Sequence, residues 1–511
     1  MSHIFKDASI IATLAGLGTV SGLILDALIL SVFAVGPQTD AFFTALAAPL
    51  IITNLFSIQG PKILIPVFSE YFRRNDYAAA WDLLRNLLTT AVCGLAGICL
   101  LGMALSAMIV PLQIPGLASK TIAMAVWLSR IMFWLVLSQG IVSVLSSVLY
   151  AQRRYLLSSS GKLVGNIFTI IVVIFCHGIW GIQAVVVGML LGSSVQVVVL
   201  ALALFKHDFR YHWVLKPTDP KVREILGSFR YLLTGHVLGE SGMILQNFLC
   251  SFLGSGSLTV MRYASRIVQA VAGILLGSVA QVTFPLMARH AAADDLGAQR
   301  KTLLESIRLL TLIGLPVCIW LILAAEPLVV LLFQRGEFSR ADAGLTGLLI
   351  RFMIPDILLG RIVSVTQTLF YANMDVRTPL MSTLIFTVAH TGFAILLVRL
   401  LGVLGLPIAV SLASLSNAIY MMVKLQGRFG PLGWSELRGF LFRLAAACAM
   451  GGGGFAVGAK LASLTTVSYS IAKMLDVGIP AVFGMSLFIA GAVSFGLIDG
   501  RHSLSVGRRV S

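Results

Sequence analysis

Arg262 and Arg266 stand one helical turn apart inside SLTVMRYASRIVQAVAGILLGSVAQ (257–281), an apolar run long enough to cross a bilayer. Each charge at the centre of a membrane helix costs about 2.5–3.5 kcal/mol on insertion scales, so something must compensate it. A guanidinium never deprotonates, and its planar fork binds carboxylate or phosphate oxygens two at a time. Two chemistries follow: an internal ion pair, or a wet cavity whose wall faces an anion.

The other charged residues inside apolar runs divide along the same line. Arg262 lies about 8 Å along its helix and can snorkel to the interface, whereas Arg266, at about 14 Å, either pairs with a carboxylate such as Asp26 or Glu240 or lines a cavity. Arg130 and Arg351 occupy matching places in the fourth and tenth apolar runs, as helix-end anchors or as cations facing one cavity. Arg361 lies deeper and is a cavity residue or the partner of Asp356. Asp26, deep in the first run, is a coupling carboxylate or a salt-bridge partner, and Asp40 after Thr39 reads as a helix cap. Gly60-Pro61 beside Lys62 reads as a broken helix next to a charge, a transporter-like arrangement.

These residues are positioned by an all-α polytopic membrane protein. Of 511 residues 58% are hydrophobic and 11% charged, far from the balance of a soluble domain. About fourteen spans are expected, near 8–35, 39–68, 86–112, 122–150, 160–179, 182–205, 227–253, 257–286, 303–333, 342–371, 378–401, 403–424, 439–463 and 471–498. The first is too long for a signal-peptide core and reads as a retained span. The net charge of +16 does not point to nucleic acid, because the basic residues sit in alternate short gaps. Arg73, Arg74 and Arg85, then Arg153 and Arg154, then Lys206 to Arg223 and the Arg501 to Arg509 tail place both termini in the cytoplasm.

The chain also repeats at an offset of about 220 residues: LILDALILSVFAVGPQTDAFFTA (23–45) aligns with MILQNFLCSFLGSGSLTVMRYAS (243–265), and LSRIMF (128–133) with LIRFMI (349–354). An even number of helices per repeat gives two parallel six-helix lobes plus two C-terminal helices, an alternating-access architecture. The expected division is 1–206 for the N-lobe, 207–226 for a cytoplasmic linker, 227–428 for the C-lobe and 429–511 for the last two helices and tail. Arg361 has Gly140 as its counterpart in the first repeat. The six cysteines lack ligand spacing and read as buried thiols, the histidines within or beside spans, His177, His236 and His390, read as packing residues, and no metal, nucleotide or nucleophile motif appears. The run Gly451–Gly454 allows close contact with a lipid chain or with the final helix.

TDAFFTALAAP (39–49), YASRI (263–267) with GILLGSVAQVTFPLMAR (273–289), LFQRGEFSRADAGLT (332–346), FYANMDVRTP (370–379) and GLPIAVSLASLSNA (405–418) resemble the MurJ/MviN lipid II flippases of the multidrug/oligosaccharidyl-lipid/polysaccharide exporter superfamily. The resemblance implies export of an undecaprenyl-pyrophosphate-linked saccharide across the bacterial inner membrane, and the candidates to meet its anionic headgroup are Arg266, at a family position, with Arg262, Arg351, Arg130, Arg361 and Lys62 from the placement of basic residues within the spans. It implies that the last two helices form a groove for the lipid tail. The family's arginines on the first two helices are replaced by Thr19, Leu25, Thr53 and Asn54. Arg266 matches a family basic position, with Ser265 in place of its acidic neighbour and Gln269 where glutamate is usual. Asp26 and Asp40 match family positions.

The expected partners are the polyprenyl-linked glycan, membrane lipids and proteins of envelope-polymer synthesis. No cofactor is expected, and the energy source would be an ion gradient, the membrane potential or consumption of the product. The cargo stays open between lipid II and an exopolysaccharide repeat unit. A cation-coupled drug exporter of the same superfamily and a non-transporting scaffold are the competing classes. The first would carry more carboxylates inside its spans, and the second would tolerate a jammed cavity.

Overall fold

The computed structural model describes residues 2–152, 154, 156–157, 161–206, 209–334, 338–430, 434–463 and 469–497. Arg153 and the Arg501 to Arg509 tail, both in the basic gaps that set the orientation, lie outside them. Among the described residues the fold is helical without strands, and ten stretches are long and apolar enough to cross a membrane. Each expected span falls on one helix or on two joined end to end.

In chain order the helices are α1 (Ser2–Phe33), α2 (Pro37–Asn54), α3 (Gly60–Arg73), α4 (Tyr77–Gln113), α5 (Ser119–Met132), α6 (Trp134–Ala151), α7 (Gly161–Trp180), α8 (Gln183–Phe205), α9 (Pro220–Ser251), α10 (Ser257–Ala292), α11 (Leu296–Phe333), α12 (Arg340–Ala372), α13 (Arg377–Leu401), α14 (Gly405–Phe429), α15 (Trp434–Ser463) and α16 (Tyr469–Ser494). The chain divides into two compact units, Met1–Thr259 with Arg335–Phe338, and Val260–Gln334 with Ser339–Ser511. The division falls within the first turn of α10, so α9 belongs to the first unit. Within the stretch expected as a linker, Asp219 accepts the backbone N–H groups of Lys221 (2.9 Å) and Val222 (3.3 Å) and starts α9 at Pro220.

In the first unit, Leu64, Phe68, Trp81, Leu84, Leu145, Val148 and Leu204 form one buried cluster, and Leu25, Ile29, Phe42, Leu128, Met132 and Val185 another. Lipid supplies no hydrophobic drive between helices, so small residues set their approach. A Cβ on Gly192 would lie 2.5 Å from the Gly165 carbonyl oxygen, and one on Gly188 would lie 2.9 Å from the Thr169 Cα, which brings α7 and α8 into backbone contact. The segment before α9 is fastened to α4. Asn86 donates to the Lys216 carbonyl (2.9 Å) and accepts the Lys216 N–H (2.8 Å), and Arg85 Nε donates to the Arg210 carbonyl (2.9 Å).

In the second unit α15 and α16 share a glycine seam. Cβ atoms on Gly454 and Gly458 would each lie 2.7 Å from α16 backbone, at the Phe483 oxygen and the Pro480 Cα. The glycine run therefore serves a helix partner. Asp375 starts α13: it accepts the Thr378 N–H (3.0 Å), the Thr378 hydroxyl (2.8 Å) and Arg428 (2.7 Å). The Thr378 N–H, with the hydroxyl and Arg428 behind it, holds the carboxyl below its usual range. A depressed folded value means that this stabilisation is complete above the ordinary carboxylate range, about pH 4, and is lost as pH falls through the depressed value. Thermal midpoints measured from pH 6 down to 3 are expected to fall less steeply for Asp375→Asn than for the parent.

Two of the histidines behave as packing residues: His390 is buried and stacked on Phe386, and His236 Nε2 lies 2.8 Å from the Ile51 oxygen, whereas His177 is exposed with its Nδ1 3.0 Å from the Val173 oxygen of its own helix. The cysteines are not uniformly buried. Cys93 is exposed and Cys176 half-buried, because their helix faces are covered by lipid rather than by protein.

Candidate functional site

The break expected at Gly60-Pro61 is a π-helical turn, Leu55–Gln59, inserted between α2 and α3. Such turns carry one residue too many for an α-helix and concentrate at functional sites. Here the Ser143 hydroxyl donates to the Phe56 carbonyl at 2.7 Å. A Cβ at Gly60 would lie 2.5 Å from that hydroxyl, so the glycine is what leaves α6 room to approach. Lys62 is exposed and donates to Gln59 Oε1 at 2.9 Å, across the break.

Behind this turn, inside the first unit, lies a cavity of about 350 Å³. Thr53, Asn54, Ser57, Gln139, Lys162 and Gln196 contribute its polar wall, from α2, the π turn, α6, α7 and α8. Gln196 can stand there because residue 161 is glycine: a Cβ at that position would lie 1.7 Å from the Gln196 amide nitrogen. Asn166, also on the wall, donates to the Ser21 hydroxyl (2.9 Å) and the Gly18 carbonyl (3.2 Å), which fixes α7 against α1. The Thr53 hydroxyl is buried and has no hydrogen-bond partner among the described residues. A second cavity in the same unit, about 440 Å³ and almost wholly apolar, is lined by Leu55, Phe56, Leu87, Leu95, Val144 and Phe229 among others.

Asp40 is buried, and it caps a helix other than the one that carries it. Thr39 closes the start of α2, accepting the Gly36 N–H at 3.0 Å. Asp40 accepts the N–H groups of Gly256 (2.5 Å) and Thr259 (3.0 Å) and the Thr259 hydroxyl (2.6 Å). Those are the N-cap and N3 donors of α10, satisfied by a single carboxylate 216 residues away in sequence. The negative charge also complements the positive end of the helix dipole.

On α10, Tyr263, Ala264, Ile267 and Val268 are buried, whereas Arg266 and Gln269 share an exposed face and Arg262 is half-buried. The two arginines therefore have different surroundings. Arg130 and Arg351 also differ despite the repeat. Arg130 is exposed in the last turn of α5, which ends at Met132, while Arg351 lies within the continuous α12 and donates from Nε to the Ile322 carbonyl at 3.0 Å. Arg361 lies close enough to act electrostatically on Asp356, which also accepts the Ser414 hydroxyl. Asp26 on α1 and Glu240 on α9 are half-buried.

Lys162, Gln139 and Gln196 escaped the sequence reading. Lys162 opens its helix and looks like one more interfacial cation, while the two glutamines are lone polar residues in apolar runs. Their coincidence on one wall needed the fold. The available signal was the cost of an amide in hydrocarbon, which asks for a polar neighbour at each such position.

In the second unit, Leu315, Ile319, Leu323, Ala445, Cys448, Ala449 and Gly452 line an apolar hollow between α11 and α15.

The fold has known counterparts. A structure described as lipid II flippase MurJ in an inward closed conformation superposes with a TM-score of 0.78 over 95% of this chain and 98% of that one, at 16% identity. An inward-facing multidrug resistance MATE family transporter of the MOP superfamily gives 0.67 over 82% and 95%, at 17% identity. In sequence, the chain is 23% identical over 427 residues to a probable lipid II flippase MurJ of Rickettsia prowazekii, covering 81% of this chain and 82% of that protein. It is 24% identical over 481 residues to the lipid II flippase MurJ of Burkholderia cenocepacia, covering 88% and 89%. The profile of the family described as lipid II flippase MurJ matches residues 29–476, and with that extent the chain belongs to the MurJ family.

Proposed function

We propose that this chain moves lipid II from the inner to the outer leaflet of a bacterial inner membrane by alternating access, with both termini in the cytoplasm. The observation that carries this reading is the family match across residues 29–476, nearly the whole membrane-embedded chain. The basic residues in alternate gaps support the orientation. Lipid II joins a pyrophosphate anion to a long hydrocarbon tail, and both chemistries find partners here. Arg262, Arg266, Arg351, Arg361, Arg130 and Lys62 supply cations for the headgroup, and the apolar hollow beside α15 accepts hydrocarbon. Asp26, Asp40 and Glu240 supply pairing or coupling carboxylates. Transport draws on an ion gradient or the membrane potential, and envelope-polymer synthesis consumes the product.

A second cargo, another polyprenyl-pyrophosphate-linked glycan, is favoured by one observation. Leu25 sits in an apolar core and Thr53 and Asn54 line the polar cavity, at positions where the family resemblance implies arginine. Reconstitution decides between them. Vesicles containing the purified protein are expected to expose inner-leaflet lipid II to an outside reagent faster than protein-free vesicles. Transfer of a lipid-linked exopolysaccharide unit with none of lipid II would overturn the first reading and establish the second.

A further inference from the structure

The chain between α8 and α9 turns its largest side chains outward. We propose that residues 209–216 form a strap that lies in the headgroup layer of the bilayer and holds anionic phospholipid there. Trp213 and Leu215 enter the layer, and Arg210 and Lys216 meet the phosphates.

The strap is fastened through its backbone. It has neither helix nor strand, so its N–H and carbonyl groups need partners of another kind. Three side chains near the start of α4 supply them. Arg85 donates to the Arg210 carbonyl, and Asn86 exchanges two hydrogen bonds with the backbone of Lys216. The Thr89 hydroxyl lies 3.5 Å from the Val214 nitrogen and 3.0 Å from the Tyr211 hydroxyl. Phe209 is buried, stacked on Phe205 and packed against Trp81. The side chains of Arg210, Trp213, Leu215 and Lys216 take no part in these contacts.

That fastening sets the depth. Asn86 and Thr89 open the span expected over 86–112, and the apolar helix α8 ends at Phe205, four residues before the strap. Residues 214–216 therefore lie level with the edge of the hydrocarbon. At that level Trp213 is 62% exposed, Leu215 48% and Tyr211 42%. So much apolar surface is costly in water, whereas tryptophan and tyrosine settle at headgroup depth, the ring among the chains and the polar tip toward water.

Charge selects the headgroup. Residues 206–216 hold three basic residues, Lys206, Arg210 and Lys216, against one acidic residue, Asp208. The three cations are exposed and have no ion pair among the described residues. Asp219, the next carboxylate along the chain, is committed to capping α9. A phosphodiester headgroup on acyl chains matches both halves of the strap, an anion for the cations and hydrocarbon for Trp213 and Leu215. A soluble anion would leave the apolar side chains uncovered, and a protein arriving from water would need the strap to stand clear of the membrane.

The test uses the full-length protein in nanodiscs of mixed phosphatidylcholine and phosphatidylglycerol, with bromine on the upper acyl carbons of one lipid at a time. Subtracting the emission of Trp213→Phe from that of the parent isolates Trp213 among the seven tryptophans. Brominated lipid is expected to quench this signal, and aqueous iodide to leave it nearly unchanged. Phosphatidylglycerol should quench more than phosphatidylcholine at equal mole fraction, with a local preference of about fivefold for each basic residue in contact. In Arg210→Gln/Lys216→Gln, with Trp213→Phe subtracted in the same background, the preference is expected to fall to near parity while Trp213 stays in lipid. Both substitutions leave the backbone bonds to α4 in place.

A Trp213 signal open to iodide and untouched by brominated lipid overturns the placement and assigns the strap to a partner from the water side. Equal quenching by the two lipids in the parent, or an undiminished preference in the double variant, overturns the anionic contact. None of these readouts uses transport, so the strap is tested independently of the cargo.

Discussion

Asp40→Ala is expected to destabilise the purified protein by about 3 kcal/mol or more, the largest effect of any single carboxylate described above. The substitution strands the N–H groups of Gly256 and Thr259, which now donate to one carboxylate, and leaves the Thr259 hydroxyl only its longer contact with the Thr39 hydroxyl at 3.1 Å. Each buried donor left without an acceptor costs about 1–3 kcal/mol. Water cannot easily replace the carboxylate, because Asp40 and Thr259 are each no more than 1% exposed. Asp40→Asn keeps one acceptor oxygen but turns an amide donor toward the remaining N–H, so its loss should be smaller and not zero. Thermal unfolding of the detergent-purified variants would order parent, Asn and Ala. A parent-like midpoint for the alanine variant would show that the cap contributes nothing.

The second large effect concerns transport. Arg266→Ala is expected to slow lipid II transfer in proteoliposomes by about 10- to 100-fold, the range that corresponds to losing a charged hydrogen bond to phosphate. Arg266→Lys should retain part of the rate, since lysine keeps the charge but not the planar fork. The stability readout separates this role from a structural one. Arg266 sits on the exposed face of α10, so a slowed transfer in an alanine variant whose thermal midpoint stays near the parent's marks a role in transport rather than in the fold. Equal transfer rates for the alanine variant and the parent would end the assignment.

Much of the architecture was legible because the period of apolar runs and the rhythm of basic gaps are local properties. The break at Gly60-Pro61 belongs to this class. The partner of Asp40 was not legible. Helix capping is written into the residue type, but the helix it caps begins 216 residues later, and no periodicity carries that information. The repeat misled in one respect. It equates Arg130 with Arg351, yet α5 ends two residues after the first while α12 continues for twenty-one residues after the second. Sequence symmetry preserves positions along the chain, whereas a local break changes what each position faces. Lys162 was hidden for the opposite reason: a lysine at a helix start is ordinary, and only the convergence of four other segments makes it part of a site.

The seam between α15 and α16 has a consequence for how this protein can vary. Where Gly454 and Gly458 meet the backbone of Phe483 and Pro480, even a methyl group has no space. On the same two helices Phe442 is 79% and Val482 65% exposed, and there any apolar side chain meets only lipid tails. Tolerance to substitution should therefore alternate along these helices with the helical period. Inheritance is narrow on one stripe and nearly free on the other, so two descendants of this chain could differ at most of their lipid-facing positions and still close the same seam.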